Sequence, residues 1–179
     1  YVESERAIAH ALELVEQGAD IIDLGGESTR PGACSVSEQD ELARVIPVVK
    51  GLAHRVSVPI SIDTSKSRVA EVALDCGASI INDVSALRQD PAMASVIARF
   101  DAAVVLMHMQ GTPQTMQQSP QYSDVVGEVV CFLEGRVQMA LRAGIAGTNI
   151  LLDPGFGFGK LVNHNLDLLD GLSAIAALN

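Results

Sequence analysis

The chain has 179 residues, 48% of them hydrophobic and 19% charged, with a formal net charge of -10. That length and apolar content suffice for one sizeable core, and the modest charge content argues against disorder. The acidic balance disfavours bulk binding to nucleic acid or to an anionic membrane, so an anionic small ligand would need a local Arg, Lys, helix N-terminus or metal.

Taken in order, the elements alternate between two patterns. Ile8, Ala11, Leu12 and Val15 recur at helical spacing and predict a first helix that stops at Gly18. "ADIIDLG" (19–25) follows as a short apolar run. Leu42, Val45, Ile46, Val49 and Leu52 predict a second helix, with Ser37 as cap, Asp40 in the first turn, and Pro47 expected to kink it or loosen a hydrogen bond. "VPISIDT" (58–64) is the next run. Val69, Val72, Ala73 and Cys76 give a third helix closed by Gly77, followed by "ASIINDV" (78–84). Asp90-Pro91 reads as a cap with proline at the first helical position, ahead of Met93, Ile97 and Phe100. "AAVVLMHM" (102–109) precedes the longest helix, from about Ser123 to Ala143, and "NILLDPG" (149–155) is the fifth run.

Runs apolar on both faces belong to buried parallel strands, and their alternation with helices predicts repeated βα units with right-handed crossovers. Polar residues stand at every strand end: Asp23, Asp63, Asn82 with Asp83, His108 and Asp153. In a TIM-type (β/α)8 barrel those ends share one mouth, whereas a doubly wound sheet would gather them only at its switch point. The fold class expected is therefore α/β, an incomplete barrel with about five parallel strands. Both chain ends read as helix, so residues 1–179 are expected to be one barrel domain truncated on both sides. A fainter feature is an internal echo, "GADIID" at 18–23 against "GASIIN" at 77–82.

Three cysteines, Cys34, Cys76 and Cys131, are odd in number and widely spaced. Neither a disulfide framework nor a zinc site fits, and a reducing cytoplasm is expected, with at least two of them in the core. No apolar run is long enough to span a bilayer.

Four stretches carry chemistry. "DPGFGFGK" (153–160) fails the phosphate-loop pattern, because Pro154 stands five residues before Gly159 and Leu161 follows Lys160. What is left is an acid at a strand end and a Gly/Phe loop suited to a flat ring, against the plainer reading of a Gly-rich βα turn. "GGESTRPG" (25–32) sets Arg30 beside hydroxyls, which suits an oxyanion or phosphate; the competing reading is a solvated loop with Glu27 paired to Arg30. Asp63 in "SIDTSK" could merely cap a helix, whereas an unpaired Asn82 amide at the end of an apolar run would be costly. In "LMHMQGTP" (106–113), Met107 and Met109 face away from His108, and a lone histidine there is more often structural than catalytic.

As a set, "DLGGESTRPGA", "SIDTSK", "IINDVS", "LMHMQGTPQTMQ" and "LLDPGFGFGK" resemble the dihydropteroate synthases in order and spacing across essentially the whole chain. The resemblance implies an eight-stranded barrel lacking its first strand and last two strands here. It implies a transferase of folate biosynthesis, the target of sulfonamides. That enzyme condenses (7,8-dihydropterin-6-yl)methyl diphosphate with p-aminobenzoate, giving 7,8-dihydropteroate and pyrophosphate.

By the same resemblance Asp63, Asn82, Met107 and Asp153 would hold the pterin, and Thr29 and Arg30 the pyrophosphate. Pro31, Phe156, Gly157 and Phe158 would border p-aminobenzoate. Asp63, Asp153 and Arg30 would be catalytic, and Mg2+ would be held by an Asn upstream of this segment, with no metal ligand within it. The whole enzyme would be a cytoplasmic homodimer with small-molecule partners only, and the segment alone inactive. Two alternatives stay open: a methyltetrahydrofolate–corrinoid methyltransferase-type barrel, and a pterin-binding fragment without catalysis.

Overall fold

The computed structural model describes residues 4–30 and 32–178. Five strands form one sheet, ordered β1 to β5 as in the sequence: β1 Ile22–Gly25, β2 Ile60–Asp63, β3 Ile80–Asp83, β4 Ala103–Met107 and β5 Ile150–Asp153. Every neighbouring pair is parallel. A sheet whose strand order follows the chain without reversal is the arrangement of a βα barrel, since a doubly wound sheet reverses at its switch point. All five expected strands are present, and the expected incomplete barrel segment is what the chain forms.

Helix α1 (Ser4–Glu16) precedes β1; α2 (Glu38–Leu52), α3 (Ser67–Asp75), α4 (Met93–Arg99) and α5 (Val125–Arg142) lie between successive strands, with α6 (Val162–Asp170) and α7 (Leu172–Ala176) after β5. Their ends follow from local chemistry. Gly18, Gly77 and Gly144 take positive φ just past α1, α3 and α5, where a side chain would be strained. Ser37 Oγ accepts from the Asp40 N–H at 3.1 Å and caps α2. Asp124 does the same for α5 through Gly127 N–H. Pro47 sits inside α2 without ending it.

Two expectations fail here. Helix α4 begins at Met93, two residues beyond Pro91, with Ala92 as its N-cap; Asp90 accepts from Ala92 N–H through one carboxylate oxygen and from Ser67 N–H at the start of α3 through the other. Of the cysteines, Cys34 and Cys131 are exposed and Cys76 is half-buried, so none is a buried core residue. All three are free thiols.

The core lies between the sheet and the helices. Ile22, Ile60, Ile62, Ile81, Val104, Leu106 and Ile150 fill it from the strands, and Val49, Leu52, Val69, Ala73 and Ile97 meet them from the helices. Strand side chains alternate between faces, so the intervening residues stand on the opposite, inner face. That face carries Asp23, Ser61, Asp63, Asn82, Met107, Leu151 and Asp153. In part it is open: Leu151 is 39% exposed there. No described helix is long and apolar enough to cross a membrane.

Candidate active site

Register sets the inner-face cluster. Asp63 pairs with Asn82 across β2 and β3, and Gly25 pairs with Asp63 across β1 and β2. The missing side chain at Gly25 leaves room beside the carboxylate: a Cβ there would lie 3.5 Å from Asp63 Cβ. On the other flank Met107 pairs with Asp153 across β4 and β5. Asn82 and Asp153 are two strands apart, a lateral span on the order of 10 Å. Three of the polar groups expected to meet a ligand, Asp63, Asn82 and Asp153, therefore share one face, with Met107 between them.

Two strand-end polar residues point the other way. Asp83 is fully buried and accepts from Ser65 Oγ and from the N–H groups of Ser85 and Leu87, holding the β3 turn. His108 packs its ring edge-on against Phe132 of α5 at 4.9 Å. Burial pushes the imidazole down to about 4, with the Lys160 charge adding to the effect, so it is neutral at physiological pH. Both are structural.

Electrostatics single out Asp63. Burial lifts its carboxyl to about 7, and the carboxylates of Asp23, Glu41, Asp83 and Glu27 add to the rise. It is thus poised to hold or release a proton near neutrality. Asp23 comes within reach of the same cluster, and Asn82 Nδ2 donates to Asp23 Oδ2 at 3.2 Å. Sequence reasoning gave Asp23 no role, although the echo between its stretch and that of Asn82 pointed to it.

The β1–α2 loop is fixed at its root. Arg44 Nη1 donates to Gly26 O at 2.9 Å, and a Cβ at Gly26 would come within 2.8 Å of Glu41 Cγ. Glu27 pairs with Lys66, not with Arg30, and Lys66 also pairs with Glu41 of α2. Burial alone would lower the Lys66 ammonium, but its hydrogen bonds to Glu27 and Glu41 prevail and raise it. Glu41 is 1% exposed, and its Oε1 has no hydrogen-bond partner among the described residues. Beyond this anchor Thr29 is half-buried and Arg30 exposed. Pro31 lies outside the described residues.

A cavity of about 240 Å³ lies beneath this loop, lined by Ser28, Thr29, Glu41, Asp63 and Lys66, with Thr112 across from them. It joins Asp63 to the loop hydroxyls. Asn82 and Asp153 border the neighbouring face and not this cavity, while Met107, 2% exposed, lies in the apolar cluster on which Phe158 packs.

The Gly/Phe loop after β5 is held from several sides. Gly155 N–H donates to Asp153 Oδ1 at 2.7 Å, so one carboxylate oxygen is spent locally and the other stays available. Tyr122 Oη donates to Gly159 O and Gln117 Nε2 to Gly157 O. Phe158 packs on the apolar cluster of Val84, Met107, Met109 and Met116. Phe156 is 41% exposed and Gly157 is exposed. An apolar floor with a carboxylate at its edge can receive a flat polar heterocycle. Among the described residues no group of three His, Cys, Asp or Glu could hold a metal ion.

The family described as pterin binding enzyme matches residues 1–179. The dihydropteroate synthase of Escherichia coli (strain K12) is 48% identical over 173 residues, which are 97% of this chain and 61% of that protein. Among solved structures, the Yersinia pestis dihydropteroate synthase in complex with a sulfonamide drug superposes with a TM-score of 0.95 at 45% identity, covering 98% of this chain and 64% of that one. The Xanthomonas albilineans enzyme in complex with 7,8-dihydropteroate gives 0.87 at 43% identity, covering 98% and 61%. The chain thus spans about three fifths of the length of such relatives. With a family match along its whole length and an all-parallel sheet of the same form, the chain belongs to the pterin-binding enzyme family.

Proposed function

We propose that the protein is a dihydropteroate synthase: it joins (7,8-dihydropterin-6-yl)methyl diphosphate to p-aminobenzoate and releases pyrophosphate. The observation that carries this reading is the single inner face shared by Asp63, Asn82 and Asp153, with Met107 between them. A pterin offers a ring N–H and an amino group side by side, and a carboxylate with a free oxygen edge matches that pair. Asp153 takes this role, Asn82 both donates and accepts at the ring edge, and Asp63 meets a further ring nitrogen. Met107 lies against the ring face, and Phe158, with Phe156 and Gly157, borders p-aminobenzoate together with Pro31.

The chemistry asked of these residues is dissociative. As pyrophosphate departs from the pterin methylene, Arg30 and Thr29 hold its oxygens, and the positive charge spreading over the ring lies beside Asp63 and Asp153. Ionised Asp63 stabilises that cation better than its protonated form, and its position near neutrality makes this control accessible. The aryl amine then attacks the methylene carbon and loses its proton to solvent or to a neighbouring carboxylate. No covalent intermediate with the protein is needed. Mg2+ would supply additional neutralisation of the diphosphate; the described residues offer no complete site for it. Family membership further supports a homodimer for the whole protein, and three free thiols support a cytoplasmic setting.

Asp153→Asn in the full-length protein tests the reading, because an amide cannot accept both pterin hydrogens. Calorimetry should register no binding of the pterin diphosphate by this variant; binding as tight as wild type would remove the assignment.

A further inference from the structure

Lys160 belongs to none of the roles above, yet it is 4% exposed, and a buried ammonium is expensive unless it is fully paired. Its Nζ lies 3.0 Å from His108 Nδ1, 2.9 Å from Gly155 O, 3.0 Å from Phe158 O and 3.2 Å from His108 O. Four acceptors from two strand ends converge on one cation. An ammonium has only donors, so His108 Nδ1 must be the acceptor and its ring proton sits on Nε2.

The consequence reaches Asp153. Gly155 is gripped at its carbonyl by Lys160, while its N–H donates to Asp153 Oδ1. Gly155 has φ +71°, and a Cβ there would collide with His108 O, so this backbone is pressed against β4 with no slack. Phe158 is held through its carbonyl by the same ammonium, and its side chain packs on the apolar cluster that includes Met107. The orientation of the free Asp153 oxygen and the placement of Phe158 thus share one anchor.

We infer that Lys160 is a positioning residue: its buried ammonium locks the 153–159 loop to the end of β4 and thereby aims the Asp153 carboxylate and the Phe158 ring at the substrate. This rests on the proposed pterin role of Asp153. The ammonium itself touches no substrate.

The test uses the full-length enzyme with (7,8-dihydropterin-6-yl)methyl diphosphate as the probe. Lys160→Met keeps the length and the apolar stem, and should weaken probe binding by roughly tenfold or more in a chain that still melts cooperatively. Lys160→Ala should weaken it likewise, and n-propylammonium should restore much of the affinity where 1-propanol does not. A side chain that merely filled space would be replaced equally well by both. Probe binding within about twofold of wild type in folded Lys160→Met overturns the inference, as does equal rescue by the alcohol. If neither variant folds, the wild-type chain decides, since its Lys160 15Nζ resonance should shift when the probe binds and an unmoved resonance overturns the claim. If the wild type binds no probe, the functional reading falls on its own. The anchor is then judged on the Gly155 amide, whose hydrogen exchange should quicken by roughly tenfold in Lys160→Met, and unchanged exchange overturns it.

Discussion

Asn82 donates to Asp23 Oδ2 across 3.2 Å although β2 lies between their strands. The two residues occupy matching places in "GADIID" and "GASIIN", within β1 and β3. Asp63, on the intervening strand, stands between an acid and an amide that are already engaged with each other. Burial and the like charge of the Asp23 carboxylate both raise the Asp63 carboxyl.

The first prediction follows from this sign. A carboxyl whose native value is raised to about 7 favours the fold when protonated, so its contribution is fully present below its ordinary value near 4 and is lost as pH rises through 7. Asp63→Asn, which mimics the protonated form, should therefore raise the melting temperature at pH 8, by a stability on the order of a few kcal/mol, and change little at pH 4. Turnover should show the opposite preference: wild type should gain activity as pH rises through 7, and the variant should lose that limb along with most of its rate. Thermal melts at the two pH values and a pH–rate profile check both halves.

Lys66 is the second target. It stands between Glu27 in the loop and Glu41, which is 1% exposed. Lys66→Met removes the only cation paired with that buried carboxylate among the described residues, and stranding a buried charge costs on the order of 3–5 kcal/mol. Denaturant unfolding at pH 7 should show a loss of that size, and adding Glu41→Gln should recover a large part of it. If the double variant is no more stable than the single one, Glu41 does not carry the cost.

Much of this fold was legible in the chain because its signals are local. Strands apolar on both faces, Gly18, Gly77 and Gly144 after their helices, and Ser37 ahead of α2 each announce themselves within a few residues. The site was legible in part for the same reason, since Asp63, Asn82 and Asp153 end strands. Periodicity alone did not say which of two adjacent polar residues faces inward, and it was the family resemblance that chose Asn82. Asn82 and Asp83 differ by one step of strand alternation, and only packing of Ile81 into the helix-side core fixes the choice. The Lys66–Glu27–Glu41 cluster and the grip of Lys160 on His108 were hidden because their partners lie 25 or more residues apart. Asp90 shows the same limit: it reads as the cap of its own helix, yet it also caps α3 across 23 residues.

Gly155 provides the third prediction. Its φ of +71° is in the left-handed region, and an added Cβ would run into His108 O, a backbone atom that cannot rotate away. Gly155→Ala should cost more than about 2 kcal/mol, visible as a lowered denaturant midpoint. Gly157 has φ +79° but nothing within 4 Å of a Cβ, so Gly157→Ala should cost only the conformational part, about 1 kcal/mol. Equal losses at the two positions would mean that the contact with β4 is not what confines the loop.

The fourth prediction separates the loop tip from the inner face. Arg30 is exposed beyond a root that Arg44 and Lys66 hold down, so removing its guanidinium leaves the Asp63–Asn82 pair untouched. If it meets the departing pyrophosphate, it contributes mainly where charge develops, and Arg30→Ala should reduce turnover by roughly 10²–10³-fold. Binding of a free pterin, which carries no diphosphate, should stay within a few-fold of wild type. Arg30→Lys keeps the charge but loses the fork that meets two oxygens at once, so it should recover only part of the rate. Steady-state kinetics with calorimetry on the free pterin decide the matter: equal losses in turnover and in free-pterin affinity would place Arg30 at the ring and take the pyrophosphate role away from it.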